Sequence, residues 1–380
     1  MTILEERNDE MAAGAARARA PRATLLLDTD THPMYLAKDI LPRLAEPWRS
    51  RMERTGTRGD RGTGGFAAYP RLRNSGYRLD TAVEGGFPGS DMGLMRSQHL
   101  DHYDVDFAIL IPLFMGMSGA PDFQAAMARA INEWIAEEWL DEEPRFRATL
   151  QLPFEYPDLA VAEIERWRGD PRFVQILLSG GAHSEWGDRK YWPIYEACQD
   201  AGLVLMTHVG GTNNAYRGAG PPSFYLEQHL WLHSTTERIA TSLICEGVFE
   251  RFPGLQLALI EGCVSWAGPL QWAMDALFEQ LHDDLPALRA KPSEYFREHC
   301  WFSTQPVEEP DNPRQLVQAY EFTGMVDHIM FSSDYPHWDF DDPTRAFPGV
   351  MPREMRNKIM GENACRLYGL TPTRPATAHR

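Results

Sequence analysis

Eight short, continuous apolar runs are the feature of this sequence that most constrains its fold. They cover residues 24–30, 105–112, 146–153, 173–180, 203–210, 255–262, 300–306 and 328–336. Runs without polar alternation are typical of strands buried on both faces, as in parallel sheets. Amphipathic stretches such as 158–171 and 235–254 lie between the runs and predict helices. The repeated βα unit therefore predicts an α/β fold, a (β/α)8 TIM barrel.

An open, doubly wound sheet is the rival arrangement for alternating strands and helices. Such a sheet usually carries a glycine-rich phosphate loop after its first strand. This chain has DTDTHPM there, at residues 28–34, which favours the barrel.

The chain is expected to form one large domain with flexible ends. Residues 1–23 are predicted to be a disordered extension, residues 24–370 the barrel, and residues 371–380 a flexible tail. Residues 31–104 form a long insertion between the first two strands, and its arginine- and glycine-rich centre predicts mobility. We interpret the insertion as a lid, a subunit contact or a plain surface loop. Its aromatic and basic residues are Trp48, Phe66, Tyr69, Arg71, Arg73, Tyr77, Arg78 and Phe87.

Composition and charge exclude several classes of function. The net charge of −17 argues against nucleic acid and an anionic membrane as partners, because phosphate binding requires a basic surface. The five cysteines never form a C-x-x-C pair, which argues against a disulfide framework or a zinc knuckle. No apolar run reaches about 18 residues, so no transmembrane helix is predicted. The N-terminus lacks the apolar core of a signal peptide, and the expected location is the cytoplasm.

Polar side chains follow three of the predicted strands at the points where those strands end. Barrel enzymes carry their sites at these carboxyl ends. The first strand ends in Asp28, Asp30 and His32, whose alternate spacing predicts that they share one face. The fifth strand ends in His208 and the eighth in Asp334. If the three tips converge inside the barrel, Asp30, His32, His208 and Asp334 form a site for one metal ion.

The donor set of this site indicates the kind of ion. Two imidazoles and two carboxylates suit Zn²⁺, which is the expected ion, with Mn²⁺ and Fe²⁺ as alternatives. Each residue also has an ordinary structural interpretation, the aspartates as caps or turn formers and the histidines as loop residues. Asp28, deepest in its strand, is interpreted as a support residue rather than a ligand. The metal hypothesis rests on the coincidence of three separate strand ends.

Four more residues near strand ends are candidates for catalysis or for substrate binding. Glu261 ends the sixth strand and His337 follows the eighth, and both are catalytic candidates beside Asp334. A carboxylate at a barrel mouth is costly unless it is solvated or used, although Glu261 also has an alternative as a loop brace. His337 has a plain structural role as its alternative. The candidate substrate-binding residues are His183, beyond the fourth strand, and Trp338.

The sequence resembles the amidohydrolase superfamily, in particular the branch of amidohydrolase-related proteins around aminocarboxymuconate-semialdehyde decarboxylase. The similar stretches are DTDTH (28–32), GDRKYWPIYEACQDAGLVLMTHVGG (187–211), GVFERFPGLQLALIEG (247–262), FSSDYPHWD (331–339) and GENACRLYGL (361–370). The resemblance implies the same four ligands, with Asp30 in the place of a histidine and Asp28 as support. It also implies a proton-shuttling histidine on the sixth strand of the decarboxylases, where this chain has Glu261. A homodimer is a further implication.

Two enzymatic functions are consistent with these residues. The first is metal-dependent hydrolysis of a C–N or C–O bond in a small molecule, with metal-activated water as nucleophile and Asp334 as general base. The second is metal-dependent, non-oxidative decarboxylation of an aromatic or enoic acid, with Asp334 as the acid. The missing sixth-strand histidine favours hydrolysis. A non-catalytic barrel is disfavoured by the complete set of ligands, and an anionic substrate is expected because the metal and nearby arginines attract it.

Overall fold

A computed structural model describes residues 24–55, 76–113, 120–179, 182–208 and 223–372. Within these residues, eight strands form one parallel sheet in chain order. The strands are β1 (Leu27–Thr31), β2 (Phe107–Leu110), β3 (Phe146–Leu150), β4 (Phe173–Ser179), β5 (Val204–His208), β6 (Leu257–Ile260), β7 (Cys300–Ser303) and β8 (Ile329–Met330). Each lies inside one predicted run or extends it by one residue, so the predicted (β/α)8 barrel is confirmed.

Helices alternate with these strands along the chain. The α-helices are α1 (Ala37–Ile40), α2 (Trp48–Thr55), α3 (Met92–Met95), α4 (Asp101–Tyr103), α5 (Pro121–Ile135), α6 (Pro157–Trp167), α7 (Trp192–Ala201), α8 (Tyr225–Leu230), α9 (Leu232–Cys245), α10 (Val248–Arg251), α11 (Ala267–Leu281), α12 (Pro292–His299), α13 (Pro313–Thr323), α14 (Arg353–Asn357) and α15 (Asn363–Tyr368). Short π-helical turns at 96–100, 136–140 and 358–362 extend or join some of them. None of the described helices has the length and apolar character needed to cross a bilayer.

Local sequence signals set the ends of several helices. In α13, Asn312 accepts a hydrogen bond from the backbone N–H of Arg314, and Pro313 occupies the first helical position, where no N–H is required. The same helix ends at Gly324, which adopts the left-handed conformation that terminates helices, with a φ of 69°. Gly202 ends α7 in the same way. These helices therefore begin and end where the sequence provides a cap and a glycine.

The barrel closes between β1 and the segment that follows β8. The N–H of Thr29 donates to the carbonyl oxygen of Phe331 at 3.1 Å, and the N–H of His32 donates to that of Tyr335 at 2.8 Å. In the opposite direction, the N–H of Asp334 donates to the carbonyl oxygen of Asp30 at 3.1 Å. The first and last strands are thus joined at the carboxyl end of the barrel, next to the predicted site.

The strand side chains divide into two apolar clusters on opposite faces of the sheet. One set packs with the helices, as Leu205, Leu259 and Phe331 do. The residues between them, such as Met206 and Ile260, form a smaller cluster with other strand residues and with α15. Because successive side chains of a strand point to opposite faces, this smaller cluster is the interior of the barrel.

Residues 32–106 connect β1 to β2, in the region predicted as an insertion. Trp48 of this region packs its ring 5.1 Å from that of Phe123. The predictions for residues 1–23, for Phe66, Tyr69, Arg71 and Arg73, and for the tail from residue 373 onward lie outside the described residues.

Gly89 packs against the tip of β1, and its replacement tests that contact. Its φ is 84°, and a Cβ placed there would lie 2.4 Å from the carbonyl oxygen of His32. Gly89→Ala is therefore expected to lower the free energy of unfolding by about 2–4 kcal/mol, through the left-handed backbone and the overlap together. Urea unfolding of the purified variant measures this loss.

Gly85→Ala is the matched control for this variant. Gly85 has a φ of 72° with open space around its Cβ position, so the backbone conformation alone should lower stability, by about 1–2 kcal/mol. Equal losses in the two variants would show that the contact between Gly89 and His32 has no effect.

Candidate metal centre

A bulge in β1 determines which way its polar side chains face. The register of β1 against β2 shifts between Asp28 and Thr31. Asp28 contacts His99, whose ring stacks on Tyr335 in the cluster that faces the helices. Asp30, by contrast, faces His208 of β5 across the barrel. The prediction that Asp28 shares a face with Asp30 and His32 was therefore wrong, because the bulge reverses the alternation between them.

Four of the predicted residues converge at the carboxyl end of the barrel. Asp30, His32, His208 and Asp334 each offer a ligand atom, and these atoms all lie within 4.8 Å of one another. All four side chains are buried. His32 is central, because its Nε2 lies 2.8 Å from Asp334 Oδ1, 3.1 Å from Asp30 Oδ1 and 3.3 Å from His208 Nε2. Its Nδ1 faces the carbonyl oxygen of Ile111 at 3.0 Å, which holds the ring so that Nε2 points into the cluster.

The chemistry of this cluster fits a divalent metal ion. Both oxygens of Asp30 are buried, and neither receives a well-aligned hydrogen bond from the described residues. Unpaired buried acceptors are rare in folded proteins because each loses its hydration without compensation. Two imidazole nitrogens facing the same point as two carboxylates form a donor set used by Zn²⁺, Mn²⁺ and Fe²⁺.

Burial and neighbouring charge act in opposite directions on these groups. Burial favours the neutral form of Asp30, but the imidazoles of His32 and His208 outweigh it and hold the pKa of Asp30 well below its ordinary value. Burial lowers the pKa of His32, yet the carboxylates of Asp30 and Asp334 raise it well above its ordinary value. The neighbouring imidazoles therefore favour the charged form of both aspartates.

Glu261 and Asp334 adopt an unusual backbone conformation. Their φ angles are 55° and 59°, in the left-handed region that residues other than glycine rarely occupy. Glu261 Oε2 lies 3.3 Å from His208 Nε2. Burial, together with the charges of Asp334 and Asp30, raises the pKa of Glu261 well above its ordinary value. Such backbone strain is found most often at functional sites.

The three remaining candidates, two histidines and a tryptophan, have different surroundings. His337 contacts the cluster directly, since its Nδ1 lies 2.6 Å from Asp334 Oδ1, and the ring of Tyr77 stacks on it at 4.9 Å. Trp338 donates from its indole N–H to the hydroxyl of Tyr225 in α8 at 2.9 Å. His183 is 57% exposed, and its backbone N–H donates to Glu155, so the structure places it at that residue rather than at the cluster.

Asp28 lies behind the cluster and holds its surroundings together. Its carboxylate accepts hydrogen bonds from the backbone N–H groups of Asp30 and Ser333, at 3.1 and 2.9 Å, and from the hydroxyl of Ser333. Its Oδ2 also lies 2.7 Å from His99 Nε2. These contacts connect β1, the segment after β8 and the π-helical turn at 96–100. They are consistent with the support role predicted for Asp28.

Sequence reasoning missed three residues near the cluster. His99 lies in the connection between β1 and β2, where no strand end pointed to it. Gln305 follows β7, and its Nε2 lies 3.3 Å from Asp334 Oδ2 and 2.9 Å from Asp339 Oδ2. Asp339 forms a second acidic group with Glu261 and Asp334. The position of Gln305 just beyond a predicted strand was the one signal available for it.

Comparisons with known proteins agree with this fold and assign the chain to a family. A family model described as amidohydrolase matches residues 27–370. A gamma-resorcylate decarboxylase from Polaromonas sp. (strain JS666) is 26% identical over 323 residues, which cover 77% of this chain and 94% of that protein. The solved 5-carboxyvanillate decarboxylase from Sphingomonas paucimobilis is 21% identical, covers 92% of this chain and 100% of its own, and superposes with a TM-score of 0.67. A dihydroxybenzoic acid decarboxylase from Polaromonas sp. JS666, solved with bound manganese and the inhibitor 2-nitroresorcinol, is 19% identical, covers 94% and 100%, and has a TM-score of 0.65.

Replacing Asp28 tests its support role. Asp28→Ala removes the carboxylate and leaves its buried donors unpaired, so it is expected to lower the free energy of unfolding by about 3–5 kcal/mol. Asp28→Asn should lose less, because its amide oxygen still accepts from the two backbone N–H groups. Urea unfolding measures both variants.

Asp283→Ala is the control, since Asp283 is 93% exposed and contacts His282 on the surface. Surface pairs contribute little to stability, so its unfolding midpoint should remain near that of the parent protein. A similar midpoint for Asp28→Ala would exclude the support role.

Proposed function

The chain belongs to the amidohydrolase family of enzymes, and on that premise we propose that it is a metal-dependent decarboxylase of an aromatic carboxylic acid. The observation that carries the proposal is the convergence of two imidazoles and two carboxylates at the ends of β1, β5 and β8. The sequence alone favoured hydrolysis. Decarboxylation is now preferred because the curated relative is named for that reaction and matches over nearly its whole length.

Asp30, His32, His208 and Asp334 are the proposed ligands of one divalent ion. Mn²⁺ is proposed ahead of the Zn²⁺ that the donor set first suggested, because the similar Polaromonas structure holds manganese. The two carboxylates suit this harder ion, while the imidazoles suit either. When bound, the ion would hold the substrate carboxylate and the oxygen beside it in place for protonation of the ring carbon.

The residues of the chain must deliver one proton to the substrate. Decarboxylation protonates the ring carbon that bears the carboxylate, the electron pair of the broken C–C bond returns to the ring, and carbon dioxide leaves. We assign the donation to Asp334, which is buried at the centre of the cluster. His337 is its proposed proton source, because its Nδ1 lies 2.6 Å from Asp334 Oδ1 and 19% of its side chain is exposed. A proton from solvent restores His337, so the reaction balances.

Aromatic side chains around the cluster support an aromatic substrate. Tyr77 stacks on His337, and Trp338 pairs with Tyr225 of α8 beside it. A flat ring can pack against such side chains by edge or by face. We propose residues 24–370 as the catalytic domain and the 31–104 connection as a cover for its mouth, since Tyr77 belongs to that connection.

Hydrolysis of a C–N or C–O bond is the second candidate, and Glu261 is the observation that favours it. Glu261 occupies the end of β6, where the resemblance places a histidine in the decarboxylases. Its Oε2 lies beside His208 Nε2. A carboxyl group at that position is placed to orient a water molecule or to protonate a leaving group.

Metal content tests the ligand assignment. The purified protein is expected to contain about one equivalent of manganese, zinc or iron, which His208→Ala should lose because it removes one of four donors. Elemental analysis by mass spectrometry measures this, with His183→Ala as a control that keeps its metal. Protein that stays empty after Mn²⁺ and Zn²⁺ are supplied would exclude both enzymatic functions.

Product analysis separates the two reactions. Gamma-resorcylate and 5-carboxyvanillate, the substrates in the names of similar proteins, are the first probes, beside a panel of aryl amides and esters. We expect carbon dioxide release from the acids, and a loss of about 10²-fold in kcat for His337→Gln with metal content retained.

His282→Gln is the matched control, because His282 is 62% exposed and pairs with Asp283 on the surface. Its kcat should equal that of the parent protein. Hydrolysis of an amide or ester without carbon dioxide release from any acid would reject decarboxylation and favour the second candidate.

A further inference from the structure

We propose that Gln305 is a positioning residue for Asp334, and that Asp339 and His229 hold Gln305 in place. This inference rests on the proposed function, because it takes Asp334 as a ligand of the metal ion. It adds a path of contacts from the metal centre to α8, a helix that also contributes Tyr225 beside Trp338.

Gln305 follows β7 and lies beside the end of β8. Its side chain is fully buried. The backbone N–H of Gln305 donates to the hydroxyl of Ser332 at 3.0 Å, which ties the two strand ends together. The amide Nε2 lies 3.3 Å from Asp334 Oδ2 and 2.9 Å from Asp339 Oδ2. An amide group has two N–H donors, so one is available for each carboxylate.

The two carboxylate oxygens of Asp334 therefore contact different groups. Oδ1 faces His32 Nε2 at 2.8 Å and His337 Nδ1 at 2.6 Å. Oδ2 faces Gln305. The torsion that turns a carboxylate has broad, shallow minima, so the rotamer alone does not fix the direction of the two oxygens. The hydrogen bond from Gln305 supplies that restraint and keeps Oδ1 directed at the metal centre.

The orientation of the Gln305 amide leaves one of its polar atoms without a hydrogen bond in the described part of the chain. Its Oε1 is buried and has no partner among the described residues. The reversed amide would place this oxygen against two carboxylates, which is worse. A methionine or leucine would fill the same space without an unpaired carbonyl group. A glutamine at this position is therefore explained by its two N–H donors, because the two carboxylates need them as hydrogen-bond partners.

Asp339 and His229 complete the path. His229 of α8 places its Nε2 3.2 Å from Asp339 Oδ2, the same oxygen that Gln305 contacts. The ring of His229 also stacks on that of Tyr225 at 5.7 Å. Hydrogen bonds to a charged carboxylate are shorter and stronger than neutral ones, so Asp339 is an effective anchor for the Gln305 amide. Contacts therefore run without a break from α8 through Asp339 and Gln305 to Asp334.

The affinity for Mn²⁺ tests the role of Gln305 without any assay of activity. Metal-free protein is titrated with Mn²⁺, and binding is followed by calorimetry and by the loss of the free-ion electron paramagnetic resonance signal. Gln305→Met is expected to raise the Kd by about 10–100-fold, the usual effect of losing the residue that orients a metal ligand. Gln271→Met is the matched control, because Gln271 is also buried but donates to the carbonyl oxygens of Ala267 and Thr323. Its Kd should be unchanged.

A double variant tests whether Asp339 acts through Gln305. Asp339→Ala alone should raise the Kd, but less than Gln305→Met does. Once Gln305 is replaced, the further change Asp339→Ala should add little, because the contact it supported no longer exists. Full additivity of the two effects would overturn the role of Asp339 as an anchor.

The outcomes separate this inference from the proposed function. If the parent protein binds neither Mn²⁺ nor, in a parallel titration, Zn²⁺, the assignment of the ligands fails, and this inference fails with it. If the parent protein binds either ion and Gln305→Met binds it equally well, the positioning role alone is overturned. A Kd raised only in the Gln305 variant, with unfolding midpoints of the two metal-free glutamine variants alike, is the expected result.

Discussion

Burial of negative charge at the mouth of the barrel is the constraint on which the rest of this structure depends. Asp30, Asp334 and Glu261 lie within a few ångströms of His208, and all are almost completely removed from solvent. Like charges at such distances in a poorly polar environment repel strongly, so they persist only with positive charge or protons between them. A divalent cation would meet this requirement, with His32 and His208 as neutral ligands beside the carboxylates.

The closure of the barrel brings these charges together. Asp30 and Asp334 belong to opposite ends of the chain, yet the N–H of Asp334 donates to the carbonyl oxygen of Asp30. Asp28 reinforces the same joint by accepting hydrogen bonds from Ser333. The cluster therefore forms only when the last strand has docked against the first. Assembly of the site requires that the barrel has closed, because its ligands come from distant parts of the chain.

Apolar runs and strand ends were sufficient to predict the strands and the four converging residues, because both depend on local patterns. Other features depend on contacts between distant residues. The bulge that turns Asp28 away from Asp30 arises from the register of β1 against β2. The alternation of residues within β1 alone does not show it. His99 reaches Asp28 from a connection without strand character. Gln305 was not predicted because an amide is not a usual metal ligand. Its proposed role depends on its contacts with Asp334 and Asp339, which come from distant parts of the chain.

The left-handed backbone of Glu261 bears on how such a protein changes under selection. Glycine adopts this conformation without steric conflict, whereas glutamate at a φ of 55° is strained by about 1–2 kcal/mol. A lineage freed from its reaction would thus gain stability from a glycine there, and a laboratory screen for heat resistance would enrich the same replacement. Such a replacement would exchange the contact of Glu261 Oε2 with His208 Nε2 for a less strained backbone.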